Sequence, residues 1–189
     1  MTRITVREIT GLDTLAGRSG GLRDFSKFVA AIEETPEGET VVLDWAGVEI
    51  ATASYFASTL AVLLRMAMAG ELDRYFIAVG LNKTCREELK LVLELQALAV
   101  LVGRCDREGS IQNVEVLGVL DPAYAETLET VQRVEGASAA GLHKQQTRTL
   151  KGIGRTGWIN RLSNLYRLRL LKRQRVGRQY VFQAVFKEK

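Results

Sequence analysis

The chain is poor in the residues from which reactive centres are built. Its 189 residues include one histidine and two cysteines. His143 alone cannot complete a zinc set or a Cys/His catalytic pair, and Cys85 and Cys105 show no C-x-x-C spacing. Two isolated thiols fit reduced cysteines in a cytoplasmic protein. No apolar run approaches the ~18 residues that a bilayer-spanning helix needs, so no membrane association is expected. The stretch Met1 to Arg7 alternates like a strand and lacks the continuous apolar core of a signal peptide. There is no convergent carboxylate cluster, no nucleophile beside a histidine and no metal-ligand spacing, so neither enzymatic activity nor a cofactor is expected. Glu33-Glu34 and Glu87-Glu88 are sequence neighbours on helical stretches; they point to different sides and read as solvent-facing charges.

What is present is an uneven distribution of charge. Residues 121–189 carry 14 Lys and Arg against 5 Asp and Glu, a net of +9, whereas residues 1–120 carry 12 against 17, a net of −5. The overall +4 therefore averages two different electrostatic bodies. The boundary coincides with Asp121-Pro122, an N-cap followed by proline at the first helical position, which starts a helix. Two domains are expected, 1–120 and 121–189.

In the acidic part, Thr2 to Ile9 alternates as a half-buried strand, and Gly17-Arg18-Ser19-Gly20-Gly21 reads as a chain break. Leu22, Phe25, Phe28, Val29 and Ile32 then mark an amphipathic helix that ends near Pro36. Thr40 to Asp44 is a nearly continuous apolar run, the pattern of a strand covered on both faces. Ala53 to Ala69 reads as one buried helix, Arg74 to Gly80 as a strand, and Lys83 to Gln96 as a helix capped by Asn82 with Leu89, Val92, Leu93 and Gln96 on one side. Ala99–Val102 and Val114–Leu120 complete an alternation that predicts an α/β sandwich with a mixed sheet.

In the basic part, Pro122 to about Glu135 forms a first helix, with Tyr124, Leu128, Val131 and Val134 inward and Gly136 as its stop. Ser138 caps a short second helix from Ala139 to about Lys144, with His143 at the surface. A polar stretch, Gln145 to Arg155, leads to a third helix from Thr156 to Arg169. Its inward residues are Ile159, Leu162, Leu165 and Tyr166, with Trp158 on the flank. Two alternating runs around Gly177-Arg178 predict a β-hairpin. Gly152-Ile-Gly154-Arg-Thr-Gly157 matches G-x-G-x-x-G in letters only, since a polar loop precedes it and no acidic residue stands near position 175.

This order of helices and hairpin, with Leu170-Leu171, the basic strand Lys172-Arg173-Gln174-Arg175 and the turn Gly177-Arg178, resembles the winged helix-turn-helix domain of small bacterial repressors over about residues 121–186. One departure is a connection of about ten residues between the second and third helices, longer than the usual tight turn. The resemblance implies a regulatory protein that binds duplex DNA. Arg155, Asn160, Arg161, Asn164 and Arg167 on the third helix are the candidate base and backbone contacts, Asn160, Arg161 and Asn164 being the base readers. Lys172, Arg173, Arg175 and Arg178 on the wing are the candidate phosphate contacts. The alternative is a winged helix that docks protein.

Val41 to Ala57, a strand ending in Leu43-Asp44, a Gly47-Val48 turn and a small-residue helix start with Ser54, is similar to the STAS-type fold of anti-sigma-factor antagonists and to the STAS-like family related to them. The resemblance implies a mixed sheet with helices largely on one side, over about residues 1–120. The family's phospho-acceptor serine corresponds here to Ala53, so no phosphorylation switch is implied. Thr52 and Ser54 remain as hydroxyls at a helix N-terminus, with helix capping as the simpler role and partner binding as the functional one. The expected activity is non-catalytic, with the first domain mediating homodimerisation or recognition of a protein partner such as a histidine-kinase-type ATPase. The alternative is a partner-switching adaptor that binds proteins through both domains.

Overall fold

The computed structural model describes residues 1–106, 109–134, 136–146 and 152–187, and the chain divides into two units, Met1–Val119 and Leu120–Lys187. The first is α/β. Its five strands, β1 (Thr2–Thr5), β3 (Glu39–Asp44), β5 (Arg74–Val79), β6 (Ala99–Cys105) and β7 (Ile111–Gly118), lie in the order β1-β3-β5-β6-β7. The first four are parallel and β7 is an antiparallel edge. A two-residue ribbon pairs β2 (Thr14–Leu15) with β4 (Ile50–Ala51). The helices are α1 (Val6–Thr10), α2 (Gly17–Glu33), α3 (Ala53–Ser58), α4 (Leu60–Ala69) and α5 (Lys83–Leu95).

Helix residues such as Phe28, Ile32, Phe56, Leu63 and Leu89 join a core with Val41, Leu43, Phe76, Ala78, Val100 and Val102, one alternate set of strand positions. The other set, Val42, Ile77 and Leu101, stands in register across the sheet and is buried as well, the signature of central parallel strands. Trp45 is the hub of this core, with its ring 6.3 Å from Phe28 and 4.8 Å from Phe56 between centroids. Burial of side chains of this size stabilises the unit by roughly 1.5–3 kcal/mol each.

Several sequence expectations change here. The first strand stops at Thr5, because Val6 and Thr10 are both buried one helical turn apart, and the Thr10 hydroxyl donates to the Val6 carbonyl at 2.9 Å. The glycine run at 17–21 is the start of α2 rather than a break. Its glycines permit close packing: a Cβ on Gly21 would stand 2.7 Å from Ser58 Cβ and 3.0 Å from the Tyr55 carbonyl oxygen. Leu22, expected inward, is exposed, and Asp24 takes a fully buried place. The long helix from Ala53 to Ala69 is two helices, broken at Thr59 (φ −126°, ψ −91°). There the Thr59 hydroxyl donates to the Tyr55 carbonyl at 2.8 Å, a side chain competing with the helical ladder. The last two strands are longer than expected. Asn82 caps α5 as anticipated, accepting from Cys85 N–H at 2.8 Å.

The second unit contains α6 (Pro122–Gln132), α7 (Ala139–Gln146), α8 (Arg155–Arg167) and a hairpin of β8 (Leu171–Val176) and β9 (Gln179–Ala184). Asp121 caps α6, accepting from Ala123 N–H at 2.8 Å, with Pro122 at the first position. The helix ends at Gln132, before the expected Glu135, which lies outside the described residues, as does 147–151 of the polar stretch. Ser138 Oγ accepts from Gly141 N–H at 3.1 Å, the cap expected for α7. Between α6 and α7, Ala137 forms an antiparallel bridge to Phe182, adding a third short strand position beside β9. The hairpin turns on Gly177 (φ +59°), the first of two turn residues, where only glycine is unstrained.

The buried residues of this unit include Leu128, Val131, Leu142, Trp158, Leu162, Leu165, Leu170, Leu171 and Phe182. The phase of α8 thus differs from expectation: Trp158, Leu162 and Leu165 form its buried stripe, and Ile159 is 45% exposed. Leu162 and Leu165 follow Trp158 by four and seven residues and Ile159 by three and six, so they fit either phase, and the larger indole takes the interior. Tyr124, Val134 and Tyr166, all expected inward, are half-buried.

Candidate nucleic-acid interface

Rotation of α8 onto Trp158 decides which polar residues reach solvent. Arg155, Thr156, Ile159, Asn160, Ser163 and Arg167 form its exposed strip. Arg161 and Asn164, expected among the base readers, are turned toward α6 instead. Arg161 donates to the Ala123 carbonyl at 3.4 Å, lies 3.8 Å from Glu126 Oε2, and its guanidinium is 5.8 Å from the Trp158 ring centroid. Asn164 donates to the Tyr124 hydroxyl at 2.8 Å and accepts from Arg167 at 3.3 Å. These two side chains fasten α8 to α6.

The hairpin divides its cations between two faces. Cross-strand pairing puts Leu171, Arg173 and Arg175 on the same face as Ala184, Phe182 and Tyr180. Since Leu171 and Phe182 are buried, this face turns toward the unit's interior at its base and toward solvent near its tip. Arg173 is held between two aromatic rings, 4.1 Å from the Tyr166 centroid and 4.4 Å from that of Tyr180. Such stacking fixes a guanidinium while leaving its N–H edge available. Arg175 donates to the Gly177 carbonyl at 3.3 Å across the turn. Lys172 pairs with Gln183 on the opposite face, apart from Arg173 and Arg175.

Arg178 and Gln179 from the hairpin meet Arg155, Ile159 and Ser163 from α8 around a cavity of about 190 Å³. The exposed strip of α8 and the tip of the hairpin are therefore walls of one groove, with Arg155 and Arg178 on it. Among the described residues, Arg155, Arg167, Arg173, Arg175 and Arg178 form no ion pair with a carboxylate, whereas Arg133 and Arg161 do. His143 is half-buried rather than at the surface, with Nδ1 3.3 Å from the Ile153 carbonyl oxygen.

In the acidic unit, the start of α3 is built differently from expectation. Thr52 occupies the N-cap position but does not cap α3; its hydroxyl accepts from Gly17 N–H at 3.1 Å, tying α2 to α3. Ser54 is exposed, with its hydroxyl 3.2 Å from that of Thr52. The capping group is the Glu88 carboxylate, reaching from α5 to accept from Ala53 N–H at 2.6 Å. Glu88 is thus not a plain surface charge, and an added phosphate here would meet a carboxylate already in place. Sequence spacing carried no sign of this contact, which joins residues 35 positions apart.

A second feature that the sequence did not reveal is Asp24. Its fully buried carboxylate receives Arg23 at 3.1 Å, Lys27 at 3.1 Å and the Tyr55 hydroxyl at 3.3 Å. Burial alone would raise the Asp24 carboxyl, but the hydrogen bonds and charges of Arg23 and Lys27 hold it below its ordinary value. Burial, and then Asp24 itself, pushes the Tyr55 phenol up, so it serves as a neutral donor. Burial likewise raises the Cys85 and Cys105 thiols, against thiolate chemistry. Among the described residues, no group of three or more His, Cys, Asp or Glu side chains could hold a metal, and no helix is long and apolar enough to cross a membrane. A comparison with protein-family models, curated proteins and solved structures finds no match to this chain.

Proposed function

We infer that the chain is a non-catalytic regulatory protein, cytoplasmic, whose basic unit is a winged helix that binds duplex DNA. The observation that carries this reading is the array of guanidinium groups, without a carboxylate partner among the described residues, shared by the exposed strip of α8 and the hairpin: Arg155 and Arg167 with Arg173, Arg175 and Arg178. Fixed cations without local counter-charges are stabilised by an external polyanion, and each phosphate they neutralise releases counterions. The element order supports the winged reading: helix, bridge at Ala137, two helices, then a hairpin whose second strand takes that bridge. Placing Arg161 and Asn164 against α6 leaves Asn160 as the base-reading candidate, with Arg155, Ile159 and Ser163 beside it.

The acidic unit we assign to a STAS-like module that mediates homodimerisation or recognition of a protein partner. Support comes from the parallel order of β1, β3, β5 and β6 and from helices gathered against one set of strand positions. The test of the DNA reading is binding of the full chain to random duplex at several salt concentrations. About four to six phosphate contacts give a log–log slope of roughly −4 to −5; no shift at about 50 mM salt would refute the reading. The adaptor alternative draws on Ile159 and Tyr180, about half exposed beside the arginines (45% and 50%). It would be selected by a missing gel shift together with a protein partner whose capture needs those two side chains.

A further inference from the structure

The cavity between α8, the hairpin and the start of α7 is lined by two kinds of surface, one cationic and hydrogen-bonding, the other mainly apolar. Among the described residues, Arg155 and Arg178 bring positive charge without a carboxylate partner, and Ser163 and Gln179 bring uncommitted hydrogen-bonding groups. The remaining lining is Ser138, whose hydroxyl caps α7, and a mainly apolar wall of Ile159, Tyr180, Phe182 and two alanines at the start of α7. A phosphate of the DNA backbone is a hydrated tetrahedral anion and gains nothing from an aromatic and aliphatic wall. A neutral hydrophobe would leave both guanidinium groups without a counter-ion. The volume, about 190 Å³, lies below the ~300 Å³ at which pockets for drug-sized ligands begin, so the occupant is a single ring or short chain.

We propose that this cavity binds a small aromatic carboxylate, its ring against Ile159 and Tyr180 and its charge on Arg155 and Arg178, and that the ligand competes with DNA for the same arginines. The competition rests on the DNA reading above; the binding does not. Occupancy takes up guanidinium groups that would otherwise meet phosphate, so ligand and duplex exclude each other. The protein then releases its DNA when the acid accumulates.

The test is a titration of the isotopically labelled full chain with benzoate, inorganic phosphate and benzyl alcohol, followed through backbone amide shifts. Benzoate is expected to shift residues 138–140, 159–163 and 178–182 saturably, with a dissociation constant at least ten-fold below those of the charge-only and ring-only probes. Ser163 is exposed, so Ser163→Phe fills the cavity without removing charge or disturbing the interior. This variant should weaken benzoate at least ten-fold, Ser163→Ala, which keeps the space and loses one hydroxyl, by far less, and Arg178→Ala by a similar ten-fold. Equal affinity for the three probes, or full binding by a folded Ser163→Phe chain, would overturn the proposal. In a second arm, benzoate at ten times its dissociation constant should raise the apparent DNA dissociation constant about 11-fold for the unaltered chain. DNA affinity indifferent to saturating benzoate would overturn the competition. Absence of DNA binding at any benzoate level would instead sink the DNA reading, with the titration still deciding whether the cavity takes the acid.

Discussion

The acidic and basic units solve the problem of charge in opposite ways. In the acidic unit, among the described residues, six Lys and Arg side chains meet a carboxylate: Arg3 on Asp44, Arg23 and Lys27 on Asp24, Arg86 on Glu115, Lys83 and Lys90 on the glutamates one turn away, while Arg74 is held by Thr35. In the basic unit Arg155, Arg167, Arg175 and Arg178 have no such partners among the described residues, and neither has Arg173, which stacks on two tyrosines. The interiors differ too. A large aromatic cluster around Trp45 serves the first unit, while the second, under 70 residues long, depends on a thin core around Trp158. Paired charge and a deep core suit a unit that must hold its shape; unpaired charge on a thin core suits one that gains stability from what it binds.

The sharpest way to break this comparison is to remove one indole from each unit. Trp45→Ala and Trp158→Ala should each cost about 3–5 kcal/mol. The first should leave a folded but weakened acidic unit, and the second should unfold the basic unit and abolish DNA binding. Calorimetry with two resolved transitions would check this, and equal tolerance of both changes would refute the contrast in core depth.

Smaller effects probe the packing and charge of the acidic unit. Gly21→Ala forces a methyl group against Ser58 and should destabilise this unit by roughly 1–3 kcal/mol in chemical denaturation, without altering DNA affinity. Asp24→Asn should cost about 1–3 kcal/mol near neutral pH, by loss of charge-assisted hydrogen bonds. Because the folded carboxyl lies below its ordinary value, its contribution is complete above an unfolded value of ~3.9 and fades as pH falls through the folded one. The gap between the two proteins should therefore close on acidification; a gap that widened would contradict the pairing of Asp24 with Arg23 and Lys27.

The smallest effects separate the roles of basic residues in the second unit. Arg178→Ala should flatten the salt slope of DNA binding by about one unit. Arg161→Ala should lower thermal stability by about 1 kcal/mol, through loss of contacts to α6, and should affect selected and random duplexes alike. A loss confined to a selected sequence would return Arg161 to the reading face.

Signals confined to a few neighbouring residues were legible in the sequence. Asp121-Pro122, Asn82 and Ser138 mark helix starts through contacts no more than three residues long, and the sign change of the charge marks the division into units. The hairpin at Gly177-Arg178 was equally plain. What escaped depends on partners far along the chain. Gly20 and Gly21 read as a break because the helix they must approach is more than 30 residues away. Glu88 reads as surface charge because its acceptor role lies at the start of another helix. On α8 the amphipathic stripe was visible but its phase was not, since Trp158 and Ile159 compete for the interior. That single rotation moved Arg161 and Asn164 from the expected reading face to the α6 contact.

The strand order of the acidic unit carries a consequence for how the molecule is made. Its sheet runs β1-β3-β5-β6-β7, so each strand pairs with the sheet strand synthesised just before it, always at the same growing edge. No strand has to be threaded between two that are already joined. A chain emerging from its N-terminus can lay this sheet down in the order of translation, each new strand pairing on the edge left by the last, with β1 and β7 remaining as the two outer edges.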